Sequence, residues 1–311
     1  MPSALARLAI ALALLAAAPA ARACSVCSRG DPLAPAAEGH GRGGDLRLAL
    51  DAEVLSQRSG TPSTPPGISM HDDLDQYTLK LTGVYSPAPP LNLVVSVPFT
   101  RKKMTMEHGA GVTFVASDLS GVGDVEVGAR WFFWERTDMR ARLRQGLAIS
   151  AGTSLPTGSS DAGPTFVGLP NPQHEQIGTG AFGPYAGISY RVQRDPYAVL
   201  LSVTGRAHTA NAQGYRFGSA FLFTAQGQWT PIRWLALGLG VDGHDGGRDR
   251  QAGAWIANTG GLVLWASPAA YLNVYRGLWV TLRAQLPFAT SLVGDQTIRP
   301  VAVGGIQYEV F

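Results

Sequence analysis

The feature that most constrains this chain is a rhythm. Runs of alternating apolar and polar residues are joined by connections that are short, then long, then short again. Short connections fall at 86–91, 135–140, 191–197 and 229–234, and long ones at 59–73, 104–120, 156–178 and 244–254. A sheet closed into a membrane barrel has this asymmetry, with tight turns at one rim and long loops at the other.

Alternation with a period of two places the strands at about 45–58, 74–86, 91–103, 122–134, 140–155, 179–191, 196–208, 215–229, 233–242, 256–273, 277–290 and 298–311. The first puts Leu46, Leu48, Leu50, Ala52 and Val54 on one face and Arg47, Asp51 and Glu53 on the other. The third aligns Leu91, Leu93, Val95, Val97 and Phe99 against Asn92, Ser96 and Thr100, and the eighth aligns Phe217, Phe221, Phe223 and Ala225 against Arg216, Thr224, Gln226 and Gln228. Ser267-Pro268 interrupts the tenth and predicts a bulge or a longer turn. Twelve strands of about 13 residues suffice to cross hydrocarbon with a tilt, and an even count leaves both chain ends at one rim. A soluble β-sandwich averages about 5–6 residues per strand and would have to bury all twelve apolar stripes. The expectation is therefore an all-β fold, a transmembrane antiparallel up-and-down β-barrel.

Residues 1–23 read as a signal peptide. Arg7 is the charged start, residues 8–15 form a short apolar core, and Ala21-Arg22-Ala23 is a small-x-small cleavage site. The apolar run is too short for a spanning helix, so an N-terminal anchor is the weaker reading. Arg22 also stands where a lipoprotein signal ending at Cys24 would need a small neutral residue. Without Arg7 and Arg22, the 25 basic residues become 23 against 22 acids, a mature charge of +1. That balance excludes the clustered basic face of a nucleic-acid binder. Residues 24–44, rich in Gly, Ala and Pro without a period, read as a periplasmic segment, and 45–311 as the barrel.

If the apolar stripes face lipid, then Arg47, Asp51, Glu53, Lys80, Asp124, Glu126, Arg130, Arg142, Arg144, Arg206, Arg283, Arg299 and Glu309 point into the lumen. Rings of charge in a pore set solute preference. In a narrow barrel, however, opposed charges also pair and fill the interior, because buried charge is rare unless compensated. Both readings stand on the sequence. Cys24 and Cys27 predict a local disulfide in an exported chain, with a metal site as the alternative. Haem attachment in its usual form is excluded, since Ser28 follows Cys27 where a histidine is required. His71, His108, His174, His208 and His244 fall near strand ends, but no Gly-x-Ser-x-Gly elbow accompanies them, so catalysis is not expected. Gly121-Val122-Gly123 and Gly238-Leu239-Gly240 lack the Lys-Ser/Thr of a phosphate loop and read as strand glycines.

Gly121-Val122-Gly123-Asp124-Val125-Glu126-Val127-Gly128-Ala129-Arg130-Trp131 resembles the Gly-x-Gly-Asp strand of a bacterial family named for the MetA pathway of phenol degradation. Ser154-Leu155-Pro156-Thr157-Gly158, followed by Gly178-Thr179-Gly180, is similar to that family's second recurrent element. The resemblance implies an outer-membrane barrel that passes small, often aromatic, solutes and has no catalytic residues. The Cys24–Cys27 segment departs from the pattern. So does the terminus, where Phe311 falls off the face shared by Tyr308 and Val310.

The expected function is an outer-membrane channel for passive diffusion of small solutes, without a cofactor. Its selectivity would come from the lumenal charges and from the loops at 61–73 and 157–176. Outer-membrane lipid, the solute and the barrel assembly machinery are the expected partners. The alternative is a closed-lumen barrel with a structural role, or one that binds a metal or a partner through its cysteine segment.

Overall fold

The computed structural model describes residues 43–60, 71–108, 112–163 and 172–310. The cleavage site, Cys24, Cys27 and Phe311 lie outside the described residues. One antiparallel sheet of fourteen hydrogen-bonded segments closes on itself. The wall strands are β1 (Leu46–Gly60), β2 (His71–Ala88), β3 (Leu91–His108), β4 (Val112–Val122 and Val125–Asp138), β5 (Leu143–Leu155) and β6 (Gly183–Arg194). They continue as β7 (Tyr197–Arg206), β8 (Ala220–Ile232), β9 (Leu235–Gly246), β10 (Gly261–Tyr275), β11 (Leu278–Leu292) and β12 (Gln296–Ile298 and Val301–Val310). Fourteen segments make twelve wall strands because β4 and β12 are each interrupted once. The ring closes at β1, where Leu46 is flanked by Tyr85 of β2 and Val310 of β12, so the described chain begins and ends at one rim. Closure removes the free edges that an open sheet would present.

The outer surface carries the stripes anticipated from the alternation. Leu48, Leu50, Val54, Leu79, Leu81, Val95, Val97, Leu201, Leu237 and Leu282 are exposed. Two rows of exposed aromatics bound this belt: Tyr77, Phe99, Phe182, Phe221 and Phe288 toward the long loops, and Tyr85, Trp131, Trp229, Trp234 and Tyr308 toward the short turns. Eight residues separate Tyr77 from Tyr85 and Phe221 from Trp229. At about 3.4 Å per residue and a tilt of ~40°, the rows stand roughly 20 Å apart along the barrel axis. Large apolar side chains all the way round a closed sheet can be buried only by lipid, so this belt is the membrane-facing surface.

Several boundaries differ from the sequence reading. The 104–120 segment, expected as a long loop, is mostly sheet: β3 runs to His108, β4 starts at Val112, and the two pair as a projecting hairpin. Residues 215–219 do not begin β8. Tyr215–Arg216 pairs with Arg250–Gln251, which pairs with Ala254–Trp255, as a small sheet above the barrel. Phe217, expected to face lipid, is buried there edge-to-face against Tyr215, because Asp249 accepts bonds from the Tyr215 hydroxyl (2.6 Å) and the Gly218 amide (2.8 Å). Ser267-Pro268 does not break β10. The register shifts against β11 lie at Leu264/Trp265 and Asn273/Tyr275, and Pro268, which has no N–H to give, faces outward.

Candidate functional site: the lumen

The two distinctive sequence segments meet in space. β4 is interrupted at Gly123-Asp124, at the height where β5 ends, and the two described parts of the connection from β5 to β6, residues 156–163 and 172–182, turn inward there. The Asp124 carboxylate accepts bonds from the Gly158 amide (3.0 Å) and from the Thr179 amide (2.8 Å) and hydroxyl (2.5 Å), tying both feet of the loop to one residue. The Thr157 hydroxyl donates to the Gly123 carbonyl (3.0 Å) and accepts from the Val125 amide (2.8 Å), bridging the strand break. Gly158 and Gly178 touch backbone to backbone, and a Cβ on Gly178 would meet the Gly158 carbonyl oxygen at 2.3 Å. Further along, Lys102 donates to the carbonyls of His174 (3.2 Å) and Gln176 (2.6 Å), and Ser117 donates to Glu175 (2.7 Å). Burial pushes the Glu175 carboxyl above its ordinary range despite the Ser117 bond. The described parts of the loop are therefore held inside the barrel mouth at three levels.

Below it, one side of the interior is solid. Thr82, Val84 and Ser86 of β2, Asn92, Val94 and Ser96 of β3, Arg130 of β4 (1% exposed) and Tyr185 of β6 (4% exposed) are packed together. Thr82 and Ser96 share a hydrogen bond of 3.0 Å, and Ser86 donates to Asn92 at 2.8 Å. Tyr185 lies flat along the wall because Gly128 and Gly152 leave room for it. A Cβ on either glycine would sit 2.3–2.4 Å from its hydroxyl, which donates to the Val127 carbonyl (3.3 Å). Above the ring, Arg206 stacks at 5.3 Å and pairs with Glu126 at 2.5 Å, crossing from β7 to β4.

The other side encloses a cavity of about 850 Å³. At the loop end it is lined by Gln173, Gln176, His208 and Phe217. At mid-height the lining residues are Asp51, Glu53, Lys80, Glu126, Arg206 and Arg283. Toward the short turns they are Arg191, Gln226, Gln228, Tyr271, Trp279 and Glu309. Polar bridges order this wall. Asp242 accepts from Thr224 (2.7 Å), Ser267 (2.5 Å) and Gln285 (2.9 Å) and pairs with Arg283 at 3.3 Å, joining β8, β9, β10 and β11. Gln226 reaches over β9 to the Tyr271 hydroxyl at 2.6 Å. At the loop end, burial and the neighbouring Arg206 charge hold the His208 imidazole down to about 4, so it is neutral at pH 7.

The structure thus divides the residues read from the sequence as lumenal. Asp51, Glu53, Lys80, Asp124, Glu126, Arg206, Arg283 and Glu309 line the cavity. Arg47, opposite Glu309 in register, and Arg130 are buried and lie outside its lining. Arg142 and Arg144 are exposed near the β4–β5 turn. Arg299 requires a correction: it sits on the outer side of the wall, where its guanidinium reaches Ser56 (3.3 Å) and Asp73 (3.5 Å). The break of β12 between Ile298 and Val301 resets the alternation there. Asp242, Lys102 and Tyr271 were not singled out from the sequence, and Gln226 was read only as part of the polar face of its strand. For Gln226 and Tyr271 the signal available was indirect, in Gly238 on the strand over which their side chains reach.

No family model and no curated protein matches this chain. Its fold is similar to that of the COG4313 outer membrane channel from Pseudomonas putida F1 (TM-score 0.63, 12% identity, 87% of this chain and 96% of that one). Other solved barrels align at lower similarity. The translocator domain of the autotransporter NalP from Neisseria meningitidis gives a TM-score of 0.47 at 11% identity over 89% of this chain and 91% of that one. The P. putida toluene transporter TodX gives 0.39 at 8% identity over 92% and 93%. The belt, the closed twelve-stranded ring and this likeness agree: the chain is a transmembrane β-barrel of the outer-membrane class.

Proposed function

We propose that the protein is a passive outer-membrane channel for small solutes, with the path confined to the open side of the lumen. The observation that carries this reading is the 850 Å³ cavity, whose lining runs from His208 and Gln176 at the loop end to Trp279 and Glu309 at the turn end. Its charges balance, with acidic Asp51, Glu53, Glu126 and Glu309 set against basic Lys80, Arg191, Arg206 and Arg283. Such a path suits polar or weakly charged molecules better than strong ions of one sign. The family resemblance of the Gly121–Trp131 and Ser154–Gly158 segments adds small aromatic solutes as the favoured class, and Tyr271, Trp279 and Phe217 offer faces for them. Neither catalysis nor a cofactor is part of the proposal, and residues 1–23 act as the export signal.

The packed side of the lumen favours a second reading, a closed barrel with a structural role and a Cys24–Cys27 disulfide at its periplasmic end. Planar-bilayer current and liposome swelling with purified protein separate the two. Current whose cation/anion preference shifts in Lys80→Glu supports the channel. Absence of both current and swelling overturns it and leaves the closed barrel. A thiol assay on exported protein tests the disulfide, and two free thiols would remove it.

A further inference from the structure

Just above the upper aromatic row, the outer wall carries a band of basic groups on one side only among the described residues. Arg299 in the break of β12, Arg58 of β1, Arg101 and Lys103 of β3 face outward there, interleaved with Asp73 and Asp75 of β2 and Asp118 of β4. Arg58 forks onto Asp73 through Nε and Nη2 (2.9 and 2.8 Å), and Arg101 forks onto Asp118 in the same way (2.9 and 2.7 Å). Ser56 donates to Asp75 at 2.6 Å, and Asp75 stands opposite Lys103 in register. Each guanidinium has five donor hydrogens, so a fork on one carboxylate leaves Nη1 free to bind a second anion. The carboxylates thus hold the cations in place without using up their donors. Outward strand positions at similar height on β5 to β11 include Leu155, Gly205, Asp245, Leu264 and Ala289, none of them basic.

We infer that this band binds the phosphorylated head of an outer-leaflet glycolipid whose acyl chains lie on the apolar strip directly below. The strip is built from Val54 on β1, Tyr77 and Leu79 on β2, and Val97 and Phe99 on β3, all exposed. The cations sit one to two residue pairs above Tyr77 and Phe99, the height at which a bilayer's phosphates meet its aromatic interface. Four positive groups on adjacent strands suit a head with two phosphates better than a single carboxylate or a zwitterionic phospholipid. The strong local alternation of sign also keeps the free band soluble when no lipid is bound. This inference does not depend on whether the lumen conducts.

The test uses the full folded barrel in detergent. Binding of bisphosphorylated lipid A is compared with binding of dephosphorylated lipid A by native mass spectrometry, in wild type and in Lys103→Ala/Arg299→Ala. Arg250→Ala, in the small sheet above the barrel, is the off-site control. The expected result is saturable binding of the bisphosphorylated lipid, weakened about tenfold by dephosphorylation or by the double substitution and unchanged by Arg250→Ala. Equal binding of both lipids, or equal loss with Arg250→Ala, overturns the inference. Should the double variant fail to give the heat-resistant folded band, the wild-type comparison of the two lipids decides alone.

Discussion

The two sides of the lumen are built from the same kinds of residue and end differently. On the β2–β6 side, Thr82, Asn92, Ser96, Arg130 and Tyr185 close over one another until almost no surface remains. On the other side, Gln226, Tyr271, Asp242 and Arg283 bridge along the wall and leave about 850 Å³ open. The difference lies in where the glycines are. Gly128 and Gly152 let Tyr185 sink across β5 and β4, so its ring fills depth. Gly238 lets Gln226 and Tyr271 meet over β9, so their contact stays at the wall. Polarity does not decide whether a barrel interior is a core or a path; the position of missing side chains does.

That contrast is breakable. Gly152→Val is expected to have the largest effect, because a Cβ there meets the Val127 carbonyl at 2.3 Å and the Tyr185 hydroxyl at 2.4 Å. It should abolish the heat-resistant folded band on a gel. Tyr185→Ala should cost about 3–5 kcal/mol in urea unfolding from vesicles, and it should raise conductance by joining the emptied space to the cavity. A stability loss with unchanged current would mean the packed side is isolated from the path. Asp124→Asn turns one of the two carboxylate oxygens that accept from Gly158 and Thr179 into a donor and should cost about 1–3 kcal/mol, with protease sensitivity appearing in the loop between β5 and β6. His208 sharpens the comparison at the loop end. With its pKa lowered to about 4 against 6.5 unfolded, its contribution is complete above pH 6.5 and is lost as pH falls toward 4. Protection of the 207–219 amides, taken relative to their intrinsic exchange rate at each pH, should fall across that window, and the change should be absent in His208→Gln. The smallest effect on stability is expected for Gln228→Ala on the open side, within about 0.5 kcal/mol, with a measurable change in current.

The barrel was readable because its signal is periodic. Leu46 to Val54 and Leu91 to Phe99 each declare a face, and the pairing of Leu46 with both Tyr85 and Val310 repeats that message around the ring. The hairpin from β3 into β4 was missed because Lys102, Lys103 and Met104 break the apolar rhythm once the strands leave the membrane belt, where alternation is no longer enforced by lipid. Phe217 was misread for the opposite reason: it keeps the rhythm of β8 before the chain joins the wall at Ala220. Of the site, the charged inward positions were legible, but not which of them pack. Arg130 and Arg206 carry identical sequence signals, yet one lies under Val94 and Tyr185's side of the interior and the other borders the cavity. Side-chain alternation fixes a direction, not what waits across a lumen.

The eight-residue interval between Tyr77 and Tyr85, repeated between Phe221 and Trp229, also says something about habitat. A wall cut to roughly 20 Å matches a thin bilayer, and thicker hydrocarbon would have to compress around the barrel or leave its aromatic anchors submerged. Reconstitution chemistry is therefore part of the protein's design: short-chain lipids should accept it readily, while long-chain ones should resist it or push neighbouring barrels together to share the strain.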